Sequence, residues 1–154
     1  MSEMETALKV RELVGRQIDE LIRAASRKME LLEGSEMERS QVRNLVNLAA
    51  ASKSVEEVTN FIRYQIGRDT KGKTWGYNGF GKAVIADIET GQVRKALVAV
   101  FEKVPEADLV IVRSELIALY LGYLNRCFIY AKEEKDWRSF DASAAGGEGA
   151  GANG

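Results

Sequence analysis

A basic, glycine-rich segment from Gly67 to Lys82 has the residue types and spacing that most suggest chemistry. Its sequence is G-R-D-T-K-G-K-T-W-G-Y-N-G-F-G-K, and the first eight residues match the pattern G-x-x-x-x-G-K-[ST]. In nucleotide-binding proteins a strand leads into such a loop and a helix leaves it at the lysine, so that free backbone N–H groups surround the phosphates. A nucleotide-binding loop is therefore one hypothesis.

The segments on either side of this loop argue against nucleotide binding. The preceding residues, E-E-V-T-N-F-I-R-Y-Q-I, follow a Ser54–Glu57 capping box and show helical rather than strand periodicity. We expect Gly67 to lie just past the end of that helix. After Thr74, the run W-G-Y-N-G-F-G contains three glycines in seven residues, which disfavours a regular helix. A nucleotide-binding protein is kept as an alternative, although the loop lacks the preceding strand and the following helix that nucleotide binding needs.

The same segment has a second interpretation, as a surface for nucleic acid. Between Phe61 and Lys82 there are five basic residues and one acid, a net charge of +4 in a chain whose formal net charge is -1. Glycines let a backbone approach phosphates, cations attract them, and aromatic rings stack on bases. The predicted RNA-binding residues here are Arg63, Arg68, Lys71, Lys73, Trp75, Tyr77 and Lys82. A solvated loop whose aromatic rings pack against the protein is the structural alternative.

The composition excludes several kinds of enzyme. The chain has no histidine, so triads that use a histidine base are absent. The single cysteine, Cys127, cannot form an internal disulfide or a zinc cluster, and its apolar neighbours predict a packed thiol. We expect no catalytic residue, no metal and no cofactor.

The 154 residues are enough for one domain with a sizeable core. No apolar run approaches the roughly 18 residues that a membrane-spanning helix needs. The charged N-terminus lacks the apolar core of a signal peptide. These features predict a cytoplasmic protein with no membrane partner.

The periodicity of apolar residues predicts an all-α fold, a single compact bundle of about five or six helices with a long N-terminal helix. That first helix begins with a Ser2–Glu5 capping box and ends at Gly34. Ser40 is expected to cap the second helix and Ser54 the third. The bundle domain is predicted to span residues 1–140, followed by a flexible Gly/Ala-rich tail over 141–154.

Two helical regions complete the predicted bundle. Periodicity resumes near Lys82 and continues to Pro105, and Gly91 either breaks or bends this region. The last helix is expected from about Ala107 to Lys135, with its tyrosines, including Tyr130, on the core side.

Two further stretches carry a resemblance to a known family. The segment E-R-S-Q-V-R-N-L-V-N-L, from Glu38 to Leu48, resembles the S-Q-[IV]-R opening of a helix in the small subunits of type III CRISPR effector complexes. The stretch L-V-I-V-R-S-E-L-I-A-L-Y-L-G-Y-L-N-R, from Leu109 to Arg126, is similar to the family's long C-terminal helix. The resemblance covers residues 40–135. The glycine-rich segment from Lys71 to Gly81 departs from the family pattern.

This resemblance implies a non-catalytic helical subunit that acts in antiviral defence. It implies several self-associated copies beside a guide RNA paired with its target, and contacts with other effector subunits. It also implies that basic residues touch the RNA backbone, and it adds Arg43 and Arg126 to the predicted RNA-binding residues. A helical scaffold or adaptor without nucleic acid is the remaining alternative.

Overall fold

The computed structural model describes residues 1–139, which form α-helices and short 3-10 turns with no β-strand. The helices are α1 Glu3–Gly15, α2 Ile18–Arg27, α3 Arg39–Ala51, α4 Val55–Arg68, α5 Phe80–Glu89, α6 Gln92–Lys103 and α7 Leu109–Glu134. The all-α prediction is thus confirmed. The predicted tail, residues 141–154, lies outside the described residues.

The N-terminal helical segment runs from α1 through α2 and ends in the 3-10 turn Lys28–Leu32. The Ser2 hydroxyl accepts the backbone N–H of Glu5 at 3.1 Å, as the capping box predicts. The helix tightens after Gly15, where the N–H of Gln17 bonds the carbonyl of Val14 at 2.9 Å. Gly34 follows in the left-handed region at φ +85°, which ends the segment where the sequence predicts.

Two predicted helix boundaries were wrong. Glu38, not Ser40, is the N-cap of α3, and the Gln41 side chain accepts its backbone N–H at 2.8 Å. Gly67 lies within the last turn of α4, which continues to Arg68. The Ser54 cap is confirmed, because its hydroxyl accepts the N–H of Glu57 at 3.1 Å.

Gly91 breaks the helical region between Phe80 and Lys103 into α5 and α6. Its N–H bonds the Ala86 carbonyl at 2.7 Å, and its backbone then turns away at φ -92° and ψ -136°. A Cβ atom at this position would lie 2.9 Å from the Cα of Asp87. The turn therefore needs a residue without a side chain.

Helix α7 forms the centre of the bundle and packs mainly against α2 and α3. Tyr120, Leu121, Leu124 and Phe128 on its inner side are fully buried. Tyr130 is 59% exposed, so its predicted place in the core was wrong. Within residues 1–139, no helix is both long and apolar enough to cross a bilayer.

A buried polar contact ties α7 to α5 and to the first helical segment. The Tyr120 hydroxyl donates to the Asp87 carboxylate, which also pairs with the Lys28 ammonium at 3.1 Å. Burial, and then the nearby Asp87 carboxylate, raise the pKa of Tyr120 well above its ordinary value. The hydroxyl therefore stays protonated as the donor in this contact.

Candidate nucleic-acid interface

The loop after α4 is organised by the carboxylate of Asp69. It accepts the backbone N–H groups of Gly76 at 2.8 Å, Thr74 at 2.9 Å and Lys73 at 3.2 Å. Partial burial alone would raise the pKa of Asp69, but these hydrogen bonds outweigh it and the pKa is lowered. The amides that would surround a phosphate in a nucleotide-binding loop are therefore occupied by a side chain of the same loop.

The elements on both sides of the loop also differ from those of a nucleotide-binding loop. A helix, α4, leads into it, and the next regular helix begins only at Phe80, well after Thr74. The Lys73 ammonium turns away to pair with Glu36 at 3.4 Å, and the Lys73 carbonyl accepts the N–H of Glu36 at 2.8 Å. The structure thus agrees with the sequence analysis: no strand leads into this loop, and no helix begins at Lys73.

The aromatic side chains of the loop serve mainly to anchor it. Trp75 is 1% exposed and its ring lies 5.6 Å from that of the buried Phe80. The prediction that Trp75 stacks on RNA bases was therefore wrong, because its ring is part of the core. Tyr77 is half-buried, and its hydroxyl donates to the Glu33 carbonyl at 2.9 Å.

The cations of the segment, in contrast, lie at the surface. Arg68, Lys71 and Lys82 are exposed and have no ion-pair partner in the described part of the chain. Arg63 pairs with Glu89 at 3.1 Å in an exposed contact, and Lys73 pairs with Glu36. We call these five cations, which lie on α4, on the loop and at the start of α5, the basic surface.

Close packing of α5 on α4 brings the two ends of the basic surface together. A Cβ atom at Gly81 would lie 2.7 Å from the Ile66 side chain, so glycine allows the start of α5 to approach α4. Arg63 and Lys82 consequently line one cleft together with Ile66 and Ile85. Residues nineteen positions apart in sequence thus present their charges side by side.

Arg43 and Arg126 lie on helices other than those that carry the basic surface. Both are exposed, on α3 and α7, and have no ion-pair partner among residues 1–139. Arg43 lies one turn after Arg39, which pairs with Glu133 on α7. On α3 it is Asn44 that faces the loop, where it lines a cleft with Thr74.

Tyr64 is a candidate that the sequence analysis missed. Its side chain is 60% exposed, and the guanidinium of Arg68 lies 5.6 Å from the centre of its ring. The signal was available, since Tyr64 falls outside the apolar stripe of α4 that contains Val58 and Ile62. Tyr64 is thus an exposed aromatic ring beside the cations, where Trp75 was expected.

A second exposed surface is apolar and lies at another part of the bundle. Six apolar side chains from the N-terminus and the first turn of α7 are 44% to 74% exposed: Met1, Met4, Leu8, Leu109, Val110 and Ile111. Two of them, Met1 and Ile111, line a groove of about 780 Å³ whose charged lining residues are Glu3, Arg11, Glu106, Asp108 and Glu115. We call this region the apolar surface. Exposed apolar patches of this kind mark contacts with other macromolecules.

The remaining chemistry of the described residues is limited. Residues 1–139 contain no group of three or more His, Cys, Asp or Glu side chains that could hold a metal ion. Cys127 is partly buried, and burial raises the pKa of its thiol, which disfavours the reactive thiolate.

No protein-family model matches the chain, and neither a curated protein nor a solved structure matches it. The resemblance of its S-Q-V-R segment to the type III CRISPR small subunits therefore stays a prediction. In this structure Gln41 of that segment caps α3, Val42 is buried and Arg43 is exposed.

Proposed function

We propose that this chain is a non-catalytic, RNA-binding, cytoplasmic protein that serves as a small subunit of a type III CRISPR ribonucleoprotein in antiviral defence. The observation that carries RNA binding is the basic surface. The only acid between residues 61 and 82, Asp69, is engaged by the loop amides, while Arg68, Lys71 and Lys82 are exposed and have no ion-pair partner among the described residues. The positive charge of these three side chains is therefore not paired in the described part of the chain.

Such a surface binds phosphates without reading base sequence. Lysine and arginine release counterions from the RNA, so affinity falls as salt rises. The exposed pairs Arg63–Glu89 and Lys73–Glu36 are weak in water, and an RNA phosphate can compete with each glutamate. In the proposed complex, base pairing between guide and target supplies the specificity, and this chain holds their backbone.

Charge reversal tests this proposal. We expect that Arg68→Glu, Lys71→Glu and Lys82→Glu together lower the affinity for a fluorescent single-stranded RNA at least tenfold at low salt. The salt dependence should also become shallower, by about 0.7 in logarithmic slope for each lost phosphate contact.

The matched control is the triple variant Arg94→Glu, Lys95→Glu and Lys103→Glu. These cations are equally exposed on α6 and have no ion-pair partner among the described residues. Both variants change the net charge by the same amount. If both lower RNA affinity equally, the basic surface is not the contact and the proposal fails.

A second candidate function, a helical scaffold without nucleic acid, is supported by the apolar surface. The effector-subunit hypothesis also uses this surface, for contacts with other subunits and with further copies of the chain. We expect self-association in solution that Met4→Glu and Leu109→Glu together abolish, measured by light scattering after size exclusion. Self-association without any RNA binding would favour the scaffold.

A further inference from the structure

A polar cleft of about 340 Å³ adjoins the basic surface, between α3, α4 and the loop. Its lining residues are Gln41, Asn44, Gln65, Arg68, Asp69 and Thr74. Every one of these has a polar side chain, so an apolar ligand would find no complementary surface. The cleft is open to solvent at the place where Arg68 emerges from the end of α4.

Three of the lining side chains are already engaged in building the fold. Gln41 caps α3, and Asp69 accepts the loop amides and the Thr74 side chain. Asn44 and Gln65 differ, because their side-chain amides have no hydrogen-bond partner in the described part of the chain. They come from two different helices and face the same cleft, so they can contact one ligand together.

The cleft contains a cation, and an exposed aromatic ring lies against that cation. Arg68 belongs to the lining, and the exposed ring of Tyr64 lies 5.6 Å from its guanidinium. An exposed ring can stack on an unpaired base, and a guanidinium can hold the neighbouring phosphate. The uncharged amides lie on the cleft side of Arg68, where they can contact the sugar of a nucleotide whose phosphate Arg68 holds.

We propose that this cleft binds one ribonucleotide of the RNA strand and recognises its 2′-hydroxyl group through Asn44 and Gln65. This inference rests on the proposed RNA-binding function. The 2′-hydroxyl is both a donor and an acceptor of hydrogen bonds, and a carboxamide side chain has an N–H group to donate and an oxygen to accept. Lysine and arginine only donate, so the basic surface attracts RNA and DNA alike. The amides of the cleft make the protein selective for RNA.

The test compares RNA and DNA of one sequence. Fluorescence anisotropy would measure the affinity of the full chain for a single-stranded RNA and for the matching single-stranded DNA. We expect tighter binding of RNA by about tenfold, the effect of a net hydrogen bond of about 1.4 kcal/mol. The double variant Asn44→Ala, Gln65→Ala should reduce the RNA-to-DNA ratio to near one, with a larger loss of RNA affinity than of DNA affinity.

The matched control is Asn47→Ala, Asn60→Ala, which removes two exposed amides from the same two helices outside the cleft. Thermal melting would verify that both double variants are folded. Equal binding of RNA and DNA by the natural sequence overturns this inference but leaves the proposed function standing. An unchanged ratio in the Asn44, Gln65 variant also overturns it. If neither nucleic acid binds, the proposed function itself fails.

Discussion

The carboxylate of Asp69 lies 2.8 Å from the backbone nitrogen of Gly76, seven residues further along the chain, and accepts its hydrogen bond. This contact closes the loop after α4 and engages the only acid between residues 61 and 82 in hydrogen bonds to the loop backbone. The loop therefore resembles a phosphate-binding loop in sequence, while its own carboxylate takes the place of the phosphate.

We expect Asp69→Asn to destabilise the protein by about 1 kcal/mol near neutral pH. The carboxamide lacks the charge that strengthens hydrogen bonds from three backbone donors, although partial exposure to water limits the loss. Chemical denaturation of both proteins would measure the difference in the free energy of unfolding. Asp19→Asn is the control, since Asp19 is exposed on α2 and bonds no loop amide.

The same pair of proteins should differ less in acid. The pKa of Asp69 is lowered in the folded state, so its contribution to stability is present above the unfolded pKa of about 3.9 and is lost as the pH falls through the folded pKa. Denaturation between pH 7 and pH 3 should show the difference from Asp69→Asn shrinking below about pH 4. A difference that stays constant over this range would contradict the role of the charge.

Tyr64 should take the RNA-stacking role that the sequence suggested for Trp75, while Trp75 should serve the stability of the core. Trp75→Ala should cost about 3–5 kcal/mol of stability, because it removes a buried ring. Tyr64→Ala should leave the melting temperature nearly unchanged and weaken RNA binding by about 1–3 kcal/mol, the range for a base stacked on an aromatic ring. Tyr130→Ala is the matched control, since Tyr130 is exposed to 59% on α7. Equal RNA affinities of the Tyr64 and Tyr130 variants would remove Tyr64 from the interface.

We expect no binding of ATP or GTP to the loop in isothermal titration calorimetry, because Asp69 occupies its amides and repels phosphate. Lys73→Ala should then change nothing in this assay. Nucleotide binding by the natural sequence that Lys73→Ala abolishes would restore the nucleotide-binding alternative.

Tyr120→Phe should destabilise the bundle by about 1–3 kcal/mol. The substitution removes a buried donor to the Asp87 carboxylate, which still pairs with the Lys28 ammonium. Tyr123→Phe is the control on the same helix, because Tyr123 is half-buried and bonds no carboxylate. Equal melting temperatures of the two variants would show that the Tyr120–Asp87 contact adds no stability.

Local features of the chain were predicted well because their causes are local. The Ser2 and Ser54 caps depend on residues three positions away, and the helices depend on apolar residues at a spacing of three and four. The flanks of the Gly67–Thr74 motif were judged correctly for the same reason. The Ser40 cap was wrong because a capping box between Glu38 and Gln41, which begins two residues earlier, caps α3 instead.

The sequence by itself determined the helical class, most helix ends and the location of the excess positive charge, since each follows from composition or short-range spacing. Only the tertiary structure decided which side chains of the loop face outward. Trp75 is buried because α5 packs closely on α4, and Asp69 is satisfied because the loop folds back on it. The cleft that contains Asn44 and Gln65 likewise exists only where two helices meet the loop, and such a meeting leaves no pattern in the sequence.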